Sequence, residues 1–430
     1  MRLTNVAHLR LPAGRLHSYD VVIEATDEEL PVSFDQGRHV GEGDRPGSWM
    51  AISFRLAGAE RHALGRAWDA VVARHGTLRT VFRAGERVRL FAGEQTPGVW
   101  RSHATDAGMT TALREAFDSG CRPHAAGSFL LCLVEPDAGE PVVVIGSDHA
   151  HVDMWSLLVL GRDLARALRR VQAGEDADLE PAHPFAEHTA LLEAMGDSPA
   201  GVRDEWERLL AAGGQAMPRF PLPLGDMGRA HDEVVEVRDV LDPLQVVELT
   251  RVANERGVRP TAVALAAVTR ATRRVADAPL RAVFPVHSRN DPRWTDAVGW
   301  FITNSVIECE DGDPAACAAD IRRALQLGSH PLAPVFAPRG GMPRTPGMFA
   351  LSWLDTRRLP VAVDDPQASW ISAVIRTNGV MIWFVINDTG LHLRCRYPDT
   401  AEARASLTLW LDAVESELRA AATASVPVAG

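Results

Sequence analysis

The sequence predicts an α/β protein of two lobes, each combining strands with helices. First, 430 residues exceed what one ordinary hydrophobic core serves and suit two domains of roughly 200 residues each. Second, strand-like and helix-like patterns alternate along the chain. Third, the second half repeats the first in outline. We expect lobes at 1–180 and 181–430, because a stretch rich in Gly, Asp and Pro follows a helix that ends near residue 172.

The elements of the first half follow from the period of their apolar residues. Residues 20–24 form the clearest early strand, and 31–47 are loop-like by their Gly, Pro and Asp content. Residues 49–58 alternate apolar and polar side chains like a half-buried strand, whereas the apolar residues of 60–76 recur at helical spacing. Two short strand-like segments then follow as a hairpin-like pair.

The second half shows the same kinds of pattern. A strand at 233–241 precedes a helix that Asp242 can cap and Pro243 can start. Residues 261–276 are mostly apolar and predict a buried helix. The C-terminal part alternates strands with a last helix at 401–421.

A dense group of titratable side chains follows the apolar run at 142–145, and we consider it the functional centre. It contains Asp148, His149, His151 and Asp153 within six residues. In one interpretation His149 is a general base, and Asp153 points inward to an arginine. In another, His149, His151 and Asp153 form an HxHxD metal site, although that signature continues with another His that is absent here. In the third, these are hydrogen-bonded residues at a strand end.

The composition excludes several classes of function. The net charge of −11 argues against a nucleic-acid partner. The sequence contains no lysine, so Schiff-base chemistry and a P-loop lysine are both excluded. The five cysteines lack CxxC spacing and are expected to be reduced core residues. No segment has the apolar length of a secretory signal or a membrane span, so we expect a cytoplasmic protein without a membrane partner.

Three segments together resemble the condensation domains of nonribosomal peptide synthetases. RHGTLRTVF at 74–82 is similar to their RHxxLRTxF segment, and VSFDQGRH at 32–39 is similar to their SxxQxR opening. DHAHVDMWS at 148–156 resembles their HHxxxDGWS motif. A fourth segment, VGWFITNSVIE at 298–308, is similar to the later IGxFVNTxxxR segment. The resemblance implies two chloramphenicol-acetyltransferase-like lobes, each a mixed sheet with helices, that form a V with the active site between them.

The resemblance also assigns roles to residues. His149 matches the second, catalytic histidine, and Asp153 matches the buried aspartate, which the family pairs with an arginine, here Arg289. Arg79 lies in the LRT segment and is expected to support the site together with Arg289. Asp148 replaces the first histidine of the motif, where it could orient His149 or take over a structural hydrogen bond.

One further departure from the motif concerns substrate access. Met154 replaces the family glycine, and its side chain could narrow the acyl channel or shift backbone N–H groups. Ser156 is as compatible with a helix cap as with a ligand contact. The side chains expected along the substrate channel are Met154, Trp155, Ser156, Trp300, Phe301 and Asn304.

The function that the resemblance implies is a free-standing condensation-type acyltransferase of natural-product biosynthesis. It would join an acyl or aminoacyl group, held as a thioester on a carrier protein, to an amine or an alcohol. We expect no tightly bound cofactor, because the partner carrier protein supplies the phosphopantetheine arm. A local arginine patch, such as Arg270, Arg273 and Arg274 or Arg322 and Arg323, would then dock an acidic carrier.

Three alternatives stay open at this point. An acyltransferase of the same superfamily could use coenzyme A as its donor. A condensation-like module without catalytic activity could recruit a partner enzyme, as the substitutions at Asp148 and Met154 suggest. A zinc hydrolase would use His149, His151 and Asp153, and would carry stoichiometric metal.

Overall fold

The computed structural model describes residues 1–423 and divides the chain into two compact units. The first unit comprises Met1–Ala194, Arg289–Ile302 and Leu359–Val374. The second comprises Met195–Ser288, Thr303–Arg358 and the chain from Ile375 onward. This division differs from the expected boundary at residue 180, since the first unit continues past it and takes in two later segments.

Fifteen strands and eleven α-helices are present among the described residues. The strands are β1 Arg2–Asn5, β2 Gly14–Leu30, β3 Trp49–Arg55, β4 Thr80–Arg83, β5 Arg89–His103, β6 Phe129–Pro136, β7 Val142–Asp148, β8 His231–Leu241, β9 Leu280–His287, β10 Ile302–Cys309, β11 Phe349–Asp355, β12 Ser369–Ser372, β13 Arg376–Thr377, β14 Val380–Asn387 and β15 Gly390–Pro398. The helices are α1 Phe34–Val40, α2 Arg61–Arg74, α3 Met109–Gly120, α4 Met154–Gln172, α5 Phe185–Ala194, α6 Ala200–Ala212, α7 Pro243–Glu255, α8 Pro260–Ala276, α9 Pro314–Leu327, α10 Ala333–Phe336 and α11 Ala401–Thr423.

The first unit contains an eight-stranded mixed sheet in the order β1-β12-β3-β7-β6-β2-β5-β4. The late strand β12 lies between two early ones, because Trp370 is paired with Leu3 of β1 on one side and with Ile52 of β3 on the other. This pairing explains why residues near 370 belong to the first unit. The predicted hairpin-like pair is confirmed, since β4 and β5 are antiparallel.

The second unit contains a seven-stranded mixed sheet in the order β10-β9-β11-β14-β15-β8-β13. β11 runs parallel to β9 and β14, whereas β15 is antiparallel to both of its neighbours. Leu249 of α7, Leu265 of α8 and Trp410 of α11 share one buried cluster with Phe384 of β14. The core of this unit therefore lies between its sheet and these three helices.

Two helix starts show how local sequence determines structure. The predicted helix after Asp242 is confirmed, and Asp242 accepts the backbone N–H of Gln245 at 2.8 Å. The predicted loop at 31–47 is wrong in its first part, which forms helix α1. Ser33 accepts the Gln36 N–H while the Gln36 side chain accepts the Ser33 N–H, so a capping box starts the helix. No helix among residues 1–423 is both long and apolar enough to cross a bilayer.

Candidate active site

The candidate site lies in the turn between β7 and α4. β7 is buried along its whole length and ends at Asp148, and α4 begins at Met154. Hydrogen bonds fix the turn between them: the His149 N–H donates to the Ser48 carbonyl and the His151 N–H donates to the Asp148 carbonyl, both at 3.0 Å. The turn therefore has one defined backbone shape on which His149 is carried.

The His149 side chain is arranged as a neutral base. Its Nδ1 lies 2.8 Å from the carbonyl oxygen of Val152. Because a carbonyl oxygen only accepts, Nδ1 carries a proton, and in the neutral ring Nε2 then keeps its lone pair. The ring stacks on Trp300 with centroids 4.1 Å apart, and both residues are half-buried. Burial lowers the pKa of His149 below the usual value for histidine, which favours the unprotonated form at neutral pH.

Asp153 and Arg289 form a buried ion pair next to this turn. Nη2 of Arg289 lies 3.1 and 3.3 Å from the two carboxylate oxygens, and both side chains are almost fully buried. The carboxylate also accepts the backbone N–H and the hydroxyl of Ser156, each at 2.7 Å, and the N–H of Phe301 at 3.1 Å. With this many donors the charge is stable in the interior. Asp153 therefore caps α4 and faces inward, as the general-base interpretation expects.

Arg289 also binds backbone oxygens. Its Nη1 donates to the carbonyls of Trp294 and Ala297 at 2.6 and 2.7 Å. Its guanidinium lies over the ring of Phe301 at 4.0 Å and near that of Trp155 at 5.2 Å. One arginine thus joins the start of α4 to the segment 294–301, which carries the Trp300 ring that stacks on the catalytic candidate.

Asp148 is bonded to a residue that the sequence interpretation did not include. Its carboxylate lies 3.1 and 3.2 Å from Nε2 of His39 and accepts the Ala150 N–H at 2.8 Å. Of the two roles considered for Asp148, the geometry fits the structural hydrogen bond rather than direct orientation of the His149 ring. Burial, the largest single influence, raises the pKa of Asp148, but the hydrogen bonds from His39 and Ser48 and the nearby histidines together hold the pKa below its usual value.

His39 comes from α1, the helix that the loop prediction missed. Its Nδ1 lies 2.9 Å from Nη2 of Arg45, and its ring lies edge-on to Trp300 with centroids 5.4 Å apart. The S-x-x-Q spacing of Ser33 and Gln36 is a capping-box signal that could have predicted this helix. It could not have predicted the contact with Asp148, which is 109 residues away in sequence.

The predicted channel residues differ in how far they are buried. Ser156 and Phe301 are fully buried, and Ser156 is hydrogen-bonded to Gly299 as well as to Asp153, so neither side chain is exposed to solvent. Trp155 is half-buried, and its Nε1 donates to the Thr295 carbonyl at 3.0 Å.

The remaining predicted residues occupy separate positions. Met154 is the first residue of α4, is half-buried, and accepts Nε1 of Trp370 on its carbonyl at 3.0 Å. Asn304 lies on β10 in the second unit. Arg79 ends the 3-10 helix Gly76–Arg79 and is half-buried, and its supporting role stays a prediction.

The HxHxD metal interpretation lacks a converging ligand set. Nδ1 of His149 is occupied by a carbonyl oxygen and Asp153 by Arg289. His151 is buried against Phe82, and burial lowers its pKa to about 4. Within residues 1–423, the metal-ligand atoms that lie within 4.8 Å of one another belong to a different group, Cys309, Cys317 and Asp320 in the second unit.

A second buried charge cluster explains the RHxxLR segment. Nε2 of His75 lies 2.9 Å from Asp163 on α4, and Arg74 and Arg162 contact the same carboxylate at 3.4 and 2.8 Å. Both arginines also reach Asp296. These residues connect α2 to α4, so this motif stabilises the helix on which the site is built.

Comparison with known proteins settles the family. The sequence matches the condensation domain over residues 42–325, which is more than half of the chain. The chain belongs to the condensation domain family. The resemblance drawn from the three motifs is confirmed, and with it the prediction of a condensation-type acyltransferase at the level of the family.

Curated and solved relatives agree with this assignment. The chain is similar to the isonitrile lipopeptide synthase of Mycobacterium tuberculosis, at 27% identity over 337 residues, which covers 71% of this chain but only 13% of the synthase. Among solved structures, the PapA2 acyl transferase has a TM-score of 0.85 at 18% identity, with 99% of this chain and 100% of that one covered. The X-domain from teicoplanin biosynthesis has a TM-score of 0.73 at 19% identity, with 93% and 96% covered. The predicted α/β condensation-domain fold is confirmed.

Proposed function

We propose that this condensation domain transfers an acyl or aminoacyl group from a pantetheine thioester to an amine or hydroxyl acceptor in natural-product assembly. The observation that carries the proposal is the His149 ring, which is half-buried and fixed through Nδ1, and whose pKa burial lowers so that the form with a free Nε2 lone pair is favoured at neutral pH. A base in this form can take a proton from an attacking nucleophile near neutral pH.

The reaction needs only this base and a positioned thioester. The acceptor nitrogen or oxygen attacks the thioester carbonyl carbon while Nε2 of His149 takes its proton. The tetrahedral intermediate then expels the pantetheine sulfur, which receives the proton from His149. The products are an amide or ester and a free thiol, and no covalent acyl-enzyme is formed. Asp153 and Arg289 act indirectly, because they hold the start of α4 and the Trp300 segment.

A carrier protein is the proposed source of the thioester, as is usual for condensation domains. Of the expected patch arginines, Arg322 is exposed, whereas the others are paired with or hydrogen-bonded to groups of the chain itself. Arg270 and Arg274 both pair with Glu417, at 3.0 and 2.6 Å, and Arg273 donates to the Glu310 carbonyl. Arg323 pairs with Asp320. Carrier recognition by these clusters is therefore not part of the proposal.

The test is mass spectrometry of an acyl-loaded carrier protein from the same biosynthetic system, incubated with candidate amines and alcohols. Wild-type protein should unload the carrier into a new amide or ester, and His149→Ala should slow this step by about 10²–10⁴-fold. His62→Ala, at an exposed position on α2, is the matched control and should keep the wild-type rate.

A parallel reaction with the same acyl group on coenzyme A identifies the donor. Faster transfer from the carrier supports the proposal, and faster transfer from coenzyme A replaces the carrier with that thiol. Binding of the carrier without transfer by wild type would overturn catalysis and favour a recruitment module, the function that the departures at Asp148 and Met154 would then explain.

A further inference from the structure

We propose that His39 is a positioning residue of the active site, held as a neutral imidazole between Arg45 and Asp148, and that it fixes the turn and the ring of His149. This inference rests on the proposed role of His149 as the base. His39 itself does not transfer the proton.

The neutral state follows from counting donors and acceptors around the His39 ring. The guanidinium of Arg45 can only donate, so Nδ1 of His39, 2.9 Å from Nη2, must be the acceptor and carries no proton. The carboxylate of Asp148 accepts at 3.1 and 3.2 Å, so Nε2 must carry the proton. A doubly protonated ring would direct an N–H group at another N–H group. The contacts with Arg45 and Asp148 therefore select the tautomer with the proton on Nε2.

Arg45 is itself fixed for this task. Its Nη1 donates to the carbonyls of His39 and Gly43, both at 3.0 Å. The guanidinium thus binds the backbone and the ring of the same histidine. Only 13% of the His39 side chain is exposed, so water competes weakly for its two ring nitrogens.

Helix α1 holds the catalytic turn through two side chains. His39 binds the Asp148 carboxylate, which also receives the Ala150 N–H. Gln36 donates to the Ala150 carbonyl at 2.8 Å and is fully buried. Displacement of α1 would therefore release the residues on both sides of His149.

The His39 ring also borders the ring of His149 directly. Their centroids are 6.3 Å apart, and both rings contact Trp300. A positive charge on His39 would oppose proton uptake by His149. The titratable and charged groups that face His39 are Arg45 from the loop after α1, Asp148 from the end of β7, and His149 and His151 from the turn.

Substitutions separate a neutral positioning role from proton transfer. His39→Ala should lower kcat by about 10–100-fold, as loss of an orienting partner does elsewhere. His39→Gln should recover most of that loss, because its amide oxygen can accept from Arg45 while its NH2 donates to Asp148. A glutamine variant as slow as the alanine variant would overturn the inference, since the imidazole itself would then be required. An alanine variant with the wild-type kcat and pH profile would overturn it too.

Arg45→Ala tests whether the Arg45 guanidinium keeps the His39 ring neutral. Without the guanidinium, Nδ1 can take a proton, and the Asp148 carboxylate stabilises the resulting charge. The plot of kcat against pH should then gain an additional ionisation between about pH 5 and 8 that the wild type lacks. An unchanged profile would contradict the assigned role of Arg45. His62→Gln serves as the control for both substitutions.

A measurement without turnover separates this inference from the proposed function. Nitrogen-15 NMR of the histidine rings, assigned with His39→Gln, should show one protonated and one unprotonated nitrogen in His39 from pH 6 to 8. A doubly protonated His39 in that range would overturn the inference. If instead His149→Ala retained full activity, the proposed function would fail while the His39 tautomer could still be as stated.

Discussion

Two histidine–carboxylate pairs in the first unit have the same chemistry and different surroundings. In the His75–Asp163 pair, both side chains are at most 1% exposed, and Arg74 and Arg162 bind the carboxylate. In the His39–Asp148 pair the carboxylate is fully buried but the histidine is 13% exposed, and Arg45 binds the histidine instead. The arginines thus attach to opposite members of the pair.

This difference indicates that the two pairs have different roles. We call the His75–Asp163 pair the anchor, because it stabilises the fold, and the His39–Asp148 pair the site support, because it lies beside His149. Arginines on Asp163 neutralise a buried charge and join α2 to α4, so that pair contributes mainly to stability. An arginine on His39 instead determines which ring nitrogen carries the proton, which matters only because His149 lies next to it. In both pairs burial is the largest influence and raises the carboxylate pKa, but the histidine hydrogen bond and the neighbouring charges together hold the pKa below its usual value.

The largest expected effect comes from removing the anchor. Asp163→Ala leaves Arg74 and Arg162 buried without this carboxylate, so the free energy of unfolding should fall by about 3–5 kcal/mol. Urea denaturation measures it, with the exposed Asp106→Ala as the control. A loss below about 1 kcal/mol would show that the cluster is not an anchor.

The next largest effect is a pH dependence of stability, and it adds a third histidine, His151, to the comparison. His151 is in the same turn as His149, and none of the described carboxylates is hydrogen-bonded to its ring. Its folded pKa of about 4 lies below the unfolded value. The stability that comes from the neutral His151 ring is therefore fully present above about pH 6.5 and is lost as the pH falls toward 4. Between pH 7 and pH 5 the free energy of unfolding should fall by about 2 kcal/mol on this account.

His151→Leu should remove that part of the pH dependence. The measurement is urea denaturation at pH 7 and pH 5 for both proteins. The two carboxylates, with lowered pKa values, weaken the fold only at more acidic pH, so they do not obscure the result. Equal pH dependence in the two proteins would contradict the assignment to His151.

A matched pair of substitutions tests the comparison itself. Asp148→Asn keeps the shape of the side chain but removes its charge, so kcat should fall by about tenfold while stability changes by about 1 kcal/mol. Asp163→Asn should show the reverse, with a larger loss of stability than of kcat. Steady-state kinetics and urea denaturation on both variants measure the split. The same ratio of effects at both positions would remove the distinction between anchor and support.

The smallest effect is expected at Met154, which begins the helix that also carries Asp163. Met154→Gly restores the family residue and should destabilise the protein by up to about 1 kcal/mol, because glycine is a poor helix former. If the side chain narrows the acyl channel, kcat/KM for bulky acyl groups should rise about 10-fold relative to small ones. An unchanged preference would show that Met154 does not face the acyl group.

The sequence predicted those features whose signals are local or shared with the family. The helix after Asp242 follows from its cap, and the inward position of Asp153 against Arg289 follows from the motifs. The contact of His39 with Asp148 could not be predicted, because no local pattern records which distant side chain meets a buried carboxylate. The burial of Ser156 and Phe301 was missed for a similar reason, since aromatic and hydroxyl side chains occur in both cores and channels.

The insertion of β12 between β1 and β3 affects how the chain can fold during translation. While the ribosome is translating the middle of the chain, β3 is the edge of an unfinished sheet, and β1 has no partner. Arg289, which Asp153 requires, is also synthesised more than 100 residues after it. The nascent first unit thus keeps an unneutralised carboxylate until Arg289 leaves the ribosome and an unpaired sheet edge until residue 372 leaves it, a period when chaperones would matter most.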